Sequence, residues 1–247
     1  MITIYPAYFY ILIIYIIIMI ILIDKPIAWT SHDAITYIKG KLKLKKIWHS
    51  GTLDPAAQGL LLCASDGDTK RISDYVWLDK TYIAVIDLSA RSDTRDKDAW
   101  KDLVQYDYDN EGIYKDGQKI LWPSIDDIRD YLNNLIGIAS LPVPPFSAKK
   151  ISGKKWYELA REGKQDIKYT DMTIKSYSII SYSPPFVTVE IEVGSGTYIR
   201  SIAYDMWSKF ATGWVLESLK RTKIGDFEIK LISKVEDSKI NYVIKDM

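Results

Sequence analysis

The sequence predicts one α/β domain of the α+β type, in which helices flank a β-sheet. Residues 186–193 alternate apolar and polar side chains, and residues 82–88 are likewise predicted to form a half-buried strand. Two segments, beginning at Thr30 or Ser31 and at Ser124, combine a helix-capping residue with apolar residues at helical spacing. Neither a repeat nor a low-complexity linker divides the 247 residues, so we expect one continuous domain.

In the first third of the chain, strands and short helices alternate. The apolar residues 20–23 run into a turn at Pro26, as a buried strand does. The first capped helix follows, and the apolar residues 60–64 predict a second strand. A turn at residues 67–70 and a short helix that ends near Leu78 complete this part.

The rest of the chain predicts a larger set of elements. Residues 97–117 are acidic and rich in tyrosine, which indicates an exposed loop or hairpin. The helix capped by Ser124 should end at Gly137. Its predicted apolar face consists of Ile125, Ile128, Leu132, Leu135 and Ile136. The other predicted elements are a short helix with Trp156, Leu159 and Ala160 that ends at Gly163, a strand at residues 172–183 joined to the strand at 186–193 across Pro184-Pro185, and a helix at residues 198–210.

Charge is nearly balanced overall but unevenly distributed. The net charge is +1, which by itself argues against a nucleic-acid partner. Residues 93–130 carry an excess of acids, whereas two groups are basic, so an acidic and a basic face can coexist. These groups also fit an ordinary solvated surface. They are Lys39, Lys41, Lys43, Lys45 and Lys46, and Lys149, Lys150, Lys154, Lys155 and Arg161.

The sequence predicts neither a disulfide framework nor a metal site. Its one cysteine, Cys63, lies in an apolar run, where a buried strand residue is expected rather than a nucleophile. His and Cys are not clustered, so we expect no bound metal and a reducing, cytoplasmic setting.

The first residues allow two interpretations. Residues 1–23 carry no charge, and the almost wholly apolar residues 7–23 approach the length of a membrane-spanning helix. They lack the basic start and cleavage site of a signal peptide. We expect translation to start at Met19, with residues 1–18 an artefactual or dispensable extension; the alternative is a membrane anchor. Residues 19–230 would then form the catalytic domain and 231–247 a short C-terminal tail.

One carboxylate is the most informative candidate for chemistry. Asp54 lies in a tight loop rich in Gly, Thr and Pro, five residues after His49. A carboxylate before proline is also a common turn former or helix cap, so this loop alone does not decide its role.

Several segments of the chain, in order and at characteristic spacing, carry a resemblance to a known family. They are Leu22-Ile23-Asp24-Lys25-Pro26 with Thr30-Ser31; His49-Ser50-Gly51-Thr52-Leu53-Asp54-Pro55 with Ala57 and Gly59-Leu60-Leu61; Gly67-Asp68-Thr69-Lys70; Asp79-Lys80-Thr81-Tyr82; Asp93-Thr94 with Asp96; Pro144-Pro145-Phe146-Ser147-Ala148-Lys149-Lys150 leading to Gly153, Tyr157, Ala160-Arg161 and Gly163; Gly196-Thr197-Tyr198-Ile199-Arg200-Ser201-Ile202-Ala203; and Leu219, Arg221-Thr222 and Ile224-Gly225. Over residues 22–227 the chain resembles the TruB family of tRNA pseudouridine-55 synthases.

The resemblance implies a fold and an activity. The expected fold is a mixed, mainly antiparallel sheet with flanking helices around a central RNA-binding cleft. The expected reaction isomerises uridine 55 in the T-arm loop of tRNA after the base flips out, without cofactor, metal or protein partner, in a protein that is monomeric.

Roles follow residue by residue from the same resemblance. Asp54 would be the catalytic nucleophile, Arg200 the cation that pairs with it, and Tyr82 the ring that stacks on the base. Substrate-binding or supporting roles would belong to a further set, in which His49 holds the RNA loop open. The set is His49, Lys25, Lys70, Tyr198 and Leu219. The two basic groups would contact the phosphates of the T-arm.

Departures from the family pattern fall near the site. Trp48 and Ala28 replace usual glycines, and Ser89-Ala90-Arg91-Ser92 replaces a familiar Gly and Arg-Thr pattern. The residues after Phe227 are too few for the RNA-binding domain of PUA type that many relatives carry, so affinity should come mainly from the catalytic domain.

Three rival interpretations remain. One is a catalytically weak protein that binds or folds tRNA on the same scaffold, and another is a membrane-anchored domain of different function. Hydrolysis by Ser50, His49 and Asp54 is disfavoured, because residues so close in sequence seldom aim their side chains at one point.

Overall fold

A ten-stranded sheet forms the centre of the structure, a computed structural model that describes residues 19–92, 103–144, 150–151, 154–155, 168–233 and 239–246. Its strands are β1 (Met19–Lys25), β2 (Ile47–His49), β3 (Ala57–Ser65), β4 (Lys80–Asp87), β10 (Gly137–Pro142), β13 (Tyr169–Ser183), β14 (Phe186–Val193), β15 (Val215–Ile224), β16 (Phe227–Glu228) and β17 (Asn241–Asp246). Shorter strands outside it are β5 (Ala90–Arg91), β6 (Val104–Gln105), β7 (Asp107–Tyr108), β8 (Gly112–Lys115), β9 (Gln118–Leu121), β11 (Lys150–Ile151) and β12 (Lys154–Lys155).

The sheet is mixed but mainly antiparallel. Its strands run in the order β10-β13-β14-β4-β15-β3-β1-β17, with β16 beside β15 and β2 beside β3. Among the described pairings, β15 with β3 is the parallel one, and it places Leu219 and Arg221 beside Ala57 and Gly59. The predicted fold class is therefore confirmed.

In the described part of the chain, four α-helices pack around the sheet: α1 (Ser31–Lys41), α2 (Ile72–Val76), α3 (Ile125–Leu135) and α4 (Ile199–Phe210). Both predicted caps are present as capping boxes, Thr30 with Asp33 and Ser124 with Asp127. Each pairs the cap side chain with a backbone N–H of the first turn, and the acid with the backbone N–H of the cap. These reciprocal bonds fix where α1 and α3 begin.

The core is divided among three clusters, which explains the apolar runs of the sequence. The largest packs α3 and α4 on one face of β4, β13 and β14. In β1, Ile21 and Ile23 pack with α1, whereas Ile20 and Leu22 face the opposite side. β1 is therefore buried on both faces, and such strands are apolar throughout. Cys63 is fully buried in β3, and burial raises the pKa of its thiol.

The structure differs from the sequence prediction at several places. Ile136 is 44% exposed, so it does not belong to the apolar face of α3, which ends at Leu135. Residues 107–121 form a three-stranded sheet, β7-β8-β9, more regular than a loop or single hairpin. Part of the expected tail forms β17, which pairs with β1 at the edge of the main sheet.

Two predicted features lie outside the described residues. These are the N-terminal extension, residues 1–18, and the short helix around Trp156. Within the part of the chain that is described, no helix is both long and apolar enough to cross a membrane.

Candidate active site

The loop that carries Asp54 connects β2 to β3 and is fixed by backbone hydrogen bonds. The N–H of Ser50 donates to the carbonyl of Leu62 over 2.9 Å. Ser31, at the start of α1, holds Leu53 from both sides: its hydroxyl accepts the N–H of Leu53 at 2.8 Å and donates to the Leu53 carbonyl at 2.9 Å. The neighbours of Asp54 are therefore immobilised, which orients its carboxylate.

Asp54 pairs with Arg200 from the first turn of α4. Nη2 of Arg200 lies 2.9 Å from Oδ2 of Asp54. The arginine side chain is 5% exposed, whereas that of Asp54 is 41% exposed. A buried guanidinium thus holds a carboxylate that is open to an incoming molecule, the arrangement expected from the sequence.

A cavity of about 270 Å³ lies above this pair. Three of the predicted residues line it: Tyr82 on β4, Tyr198 just before α4, and Leu219 on β15. Tyr82 is 8% exposed. Five of the predicted site residues therefore meet at one cavity, although they are far apart in the sequence. Its volume is near the lower end of the roughly 300–1,000 Å³ of ligand pockets, so it suits a small group.

Arg221 lines the cavity and lies in one of the family motif segments, but no site role was predicted for it. It is 1% exposed and donates through Nε to the carbonyl of Leu60 at 2.7 Å. Its Nη2 and Nη1 reach the carbonyls of Gly51 at 3.1 Å and Thr52 at 3.4 Å. Its guanidinium carbon lies 6.0 Å from the ring centroid of Tyr82. Arg221 therefore ties the loop that carries Asp54 to β3 and β15.

Lys80 is a second cavity residue for which no site role was predicted. Its ammonium donates to the carbonyls of Val76, at 2.6 Å, and Leu78, and lies 3.4 Å from Oγ of Ser195. It is 6% exposed. Burial and the nearby charge of Arg221 lower the pKa of Lys80 to about 8. Lys80 thus connects the end of α2 to the loop that precedes α4.

Lys25 lies outside the cavity and supports the loop that carries Asp54. Its fully buried ammonium donates to the carbonyls of Trp29 at 2.6 Å, Pro26 at 2.9 Å and Pro55 at 3.4 Å. This placement fits the supporting role predicted for it and gives it no surface toward a ligand in the cavity.

His49 and Lys70 also lie outside the cavity. His49 is on β2, and its Nδ1 is buried without a hydrogen-bond partner in the described structure. Burial, followed by the charges of Arg221 and His32, lowers the pKa of His49. Lys70 ends the 3₁₀ helix Asp66–Lys70 and is exposed. Their roles in substrate binding stay predictions.

The structure describes all the lysines of the first basic group. The lysines between Lys39 and Lys46 are exposed on α1 and the following loop. In the second group, Lys150, Lys154 and Lys155 lie in the short strands β11 and β12, whereas Lys149 and Arg161 lie outside the described residues. Among the described side chains, no three His, Cys, Asp or Glu residues lie close enough together to hold a metal ion.

Comparison with known proteins identifies the family. Residues 39–199 match the model of the TruB family pseudouridylate synthase, N-terminal domain. The tRNA pseudouridine synthase B of Caldicellulosiruptor saccharolyticus is 38% identical over 212 residues, which cover 85% of this chain and 69% of that protein. That of Aquifex aeolicus is 34% identical, covering 88% and 72%.

Solved structures show the same fold. A chain in the crystal structure of a Cbf5-Nop10-Gar1 complex aligns with a TM-score of 0.62 at 23% identity, and a chain in an H/ACA RNP bound to a substrate RNA with 0.59 at 20%. The alignments cover 85% of this chain and about half of each solved chain, 50% and 49%. With the family model matching more than half of its length, the chain belongs to the TruB family of pseudouridylate synthases.

Proposed function

We propose that this protein isomerises uridine to pseudouridine in the T-arm loop of tRNA, at position 55, with Asp54 as the nucleophile. The observation that carries the proposal is the ion pair of Asp54 and Arg200 beneath an open cavity. The names of the relatives, tRNA pseudouridine synthase B, support tRNA as the substrate.

The reaction exchanges one bond of the nucleotide for another. Asp54 attacks the nucleotide, the bond between ribose C1′ and uracil N1 breaks, and the base turns. A bond then forms between C1′ and C5, the bond to Asp54 breaks and frees the carboxylate, C5 loses its proton, and N1 takes one up. Atoms and charge balance without an oxidant or group donor, so the proposed reaction uses no cofactor or metal.

The cavity walls suit a flipped nucleobase. A stacked uracil cannot reach a carboxylate inside a protein, so the enzyme must extrude the base from the RNA loop. In this proposal Tyr82 stacks on the base, Tyr198 and Leu219 pack around it, and Arg200 keeps the Asp54 carboxylate directed toward the nucleotide. His49 supports the opened RNA loop, and Lys70 the surrounding contacts.

Binding of the RNA is assigned to the catalytic domain itself. The exposed lysines from Lys39 to Lys46 would contact T-arm phosphates, which position an RNA without reading its sequence. We further propose that residues 19–230 contain the catalytic machinery and that the protein acts as a cytoplasmic monomer without a protein partner.

Substitution of the carboxylate tests the mechanism. Asp54→Asn should abolish conversion of a T-arm stem-loop while its affinity for the same RNA is retained, because the amide keeps the shape but is not a nucleophile. Asp226→Asn, in an exposed turn after β15, is the matched control and should keep full activity. Activity in the Asp54→Asn protein would refute the mechanism.

A second experiment distinguishes the proposed function from the rival one, a protein that binds or folds tRNA without converting uridine. Pseudouridine mapping across tRNA, with and without the purified protein, should detect a new modification at one T-arm position. If the protein binds tRNA tightly and converts no uridine, it is a tRNA-binding or tRNA-folding protein on this scaffold.

A further inference from the structure

Two exposed tryptophans lie on segments that line the cavity. Among the tryptophans that the structure describes, Trp48 and Trp77 are the exposed ones, at 53% and 77%. Trp77 directly follows Val76, and Trp48 precedes Ser50 by two residues. Val76 and Ser50 both line the cavity. An exposed indole beside the cavity offers a flat aromatic face on which a ligand ring can stack.

The backbone beside Trp77 is fixed to the cavity wall. The carbonyl of Val76 accepts a hydrogen bond from Nζ of Lys80 at 2.6 Å and another from Oγ of Ser195 at 2.7 Å. Lys80 and Ser195 line the same cavity. The backbone that carries Trp77 is therefore held beside the cavity.

Trp48 is attached to a strand in the same way. Strand β2 pairs antiparallel with β3, which places Trp48 opposite Ala64. The Ser50 N–H donates to Leu62 of β3 at 2.9 Å, directly before the catalytic loop. Both tryptophans thus extend from rigid backbone.

Basic side chains accompany these tryptophans. The N–H groups of Lys45 and Lys46 both donate to Oδ1 of Asp66 at 2.9 Å, which attaches the lysine turn to the 3₁₀ helix. That helix ends at Lys70, and Arg71 follows. The four basic side chains are exposed. Aromatic rings combined with positive charge are the features that bind single-stranded RNA.

We propose that Trp48 and Trp77 are stacking platforms for the unpaired bases that neighbour the reacting uridine in the RNA loop. This inference rests on the proposed function, since it takes a tRNA loop as the substrate. Extrusion of one base removes stacking from its neighbours, and an indole face replaces it. The basic side chains and the continuity with the cavity favour RNA over a protein partner.

Binding measurements on separate variants test the platforms. Trp77→Ala and Trp48→Ala are each made in the Asp54→Asn protein, so that the Kd for a T-arm stem-loop is measured without turnover. Each should raise Kd at least about fivefold, the change that corresponds to ~1 kcal/mol, the lower end for stacking of one base. Trp77→Tyr should restore most of the affinity, because tyrosine also stacks.

The controls separate stacking from charge and folding. Tyr169→Ala removes an aromatic side chain that is 60% exposed on β13, away from the cavity, and should leave Kd unchanged. A continuous RNA duplex without unpaired bases should bind all of these proteins equally. Thermal unfolding should be unchanged, since the side chains are exposed.

The outcomes are decisive. An unchanged Kd for both alanine variants, or an equal loss on the duplex, overturns the proposal. If the tryptophan variants lose affinity for loop RNA but the native protein converts no uridine, the platforms stand and the proposed function fails. If the native protein converts uridine and both variants bind normally, the function stands and the platforms fail.

Discussion

Replacement of Arg221 by methionine tests whether a buried cation holds the catalytic loop. The guanidinium donates to three backbone carbonyls, those of Leu60, Gly51 and Thr52, at 2.7, 3.1 and 3.4 Å. The longest of these contributes little, because hydrogen bonds weaken with distance. Methionine retains much of the apolar stem but leaves the carbonyls without their donor.

The size of the effect follows from these contacts. Hydrogen bonds to a charged group contribute about 1.5–3 kcal/mol each, so the two shorter ones give about 3–6 kcal/mol. Loss of the guanidinium also removes the cost of burying its charge, which brings the net effect toward the lower value. We expect the free energy of unfolding to fall by about 3 kcal/mol, a large fraction of the roughly 5–15 kcal/mol typical of a domain.

Urea denaturation measures this loss, with Lys223→Met as the control on the same strand. Lys223 is 46% exposed and lies 3.4 Å from Glu228, so its removal should cost less than about 1 kcal/mol. Hydrogen exchange should also accelerate at residues 50–54 before it does in β13 and β14. If Arg221→Met costs no more than Lys223→Met, or exchange in the loop is unchanged, the guanidinium does not anchor the loop.

Three further predictions concern stability. Because burial and Arg221 lower the pKa of Lys80 to about 8, the folded state binds this proton less tightly than the unfolded chain, where lysine titrates near about 10.4. As the pH increases between these two values, the free energy of unfolding of the native protein should therefore rise relative to that of Lys80→Met. Parallel curves of this free energy against pH for the two proteins would contradict the prediction. Burial also lowers the pKa of His49, so urea denaturation between pH 7 and 5 should show a steeper loss of stability on acidification than in His49→Gln; equal slopes would argue against it. Gly59→Ala should prevent stable folding, because Gly59 has φ +107° and an added Cβ would lie 2.4 Å from the carbonyl oxygen of Arg221. Gly40→Ala, at the exposed end of α1 with nothing within 4 Å, should be neutral or stabilising by up to about 1 kcal/mol, and similar melting temperatures for the two variants would refute the steric argument.

The elements with local causes were predictable from the sequence. Thr30 and Ser124 begin helices because their side chains and the acids three residues later satisfy the first backbone groups of each helix. The alternation in residues 186–193 matches the bounds of β14, since one face packs on the core and the other is more exposed. Such signals depend only on residues that are neighbours in the sequence.

Elements that depend on distant partners were not predictable in this way. β15 was not predicted as a strand, because Lys220, Arg221 and Lys223 give it the composition of a surface segment. Arg221 is nevertheless buried, and the carbonyls that accept its hydrogen bonds come from residues 51, 52 and 60. β17 similarly depends on pairing with β1 at the other end of the chain.

The same limit applies to the site. The motifs predicted that Asp54, Tyr82 and Arg200 lie together. They did not distinguish residues that face the cavity from residues that hold its walls in place. Lys25 and Arg221 occur in the quoted motifs just as Arg200 does. Their acceptors are backbone carbonyls, which every residue has, so no complementary side chain in the sequence reveals the contact.

Buried cations that bond to carbonyls have an electrostatic consequence for the cavity. Its charged lining residues are the cations Lys80, Arg200 and Arg221 and one carboxylate, Asp54. A carbonyl satisfies the hydrogen bonds of a cation without cancelling its charge, so Lys80 and Arg221 keep the cavity positive while they fix its walls. A positive cavity attracts the phosphates of an RNA that must approach a carboxylate, and it offsets the repulsion that Asp54 alone would exert. In the proposed reaction, the residues that build the walls therefore also make an anionic substrate acceptable beside the Asp54 carboxylate.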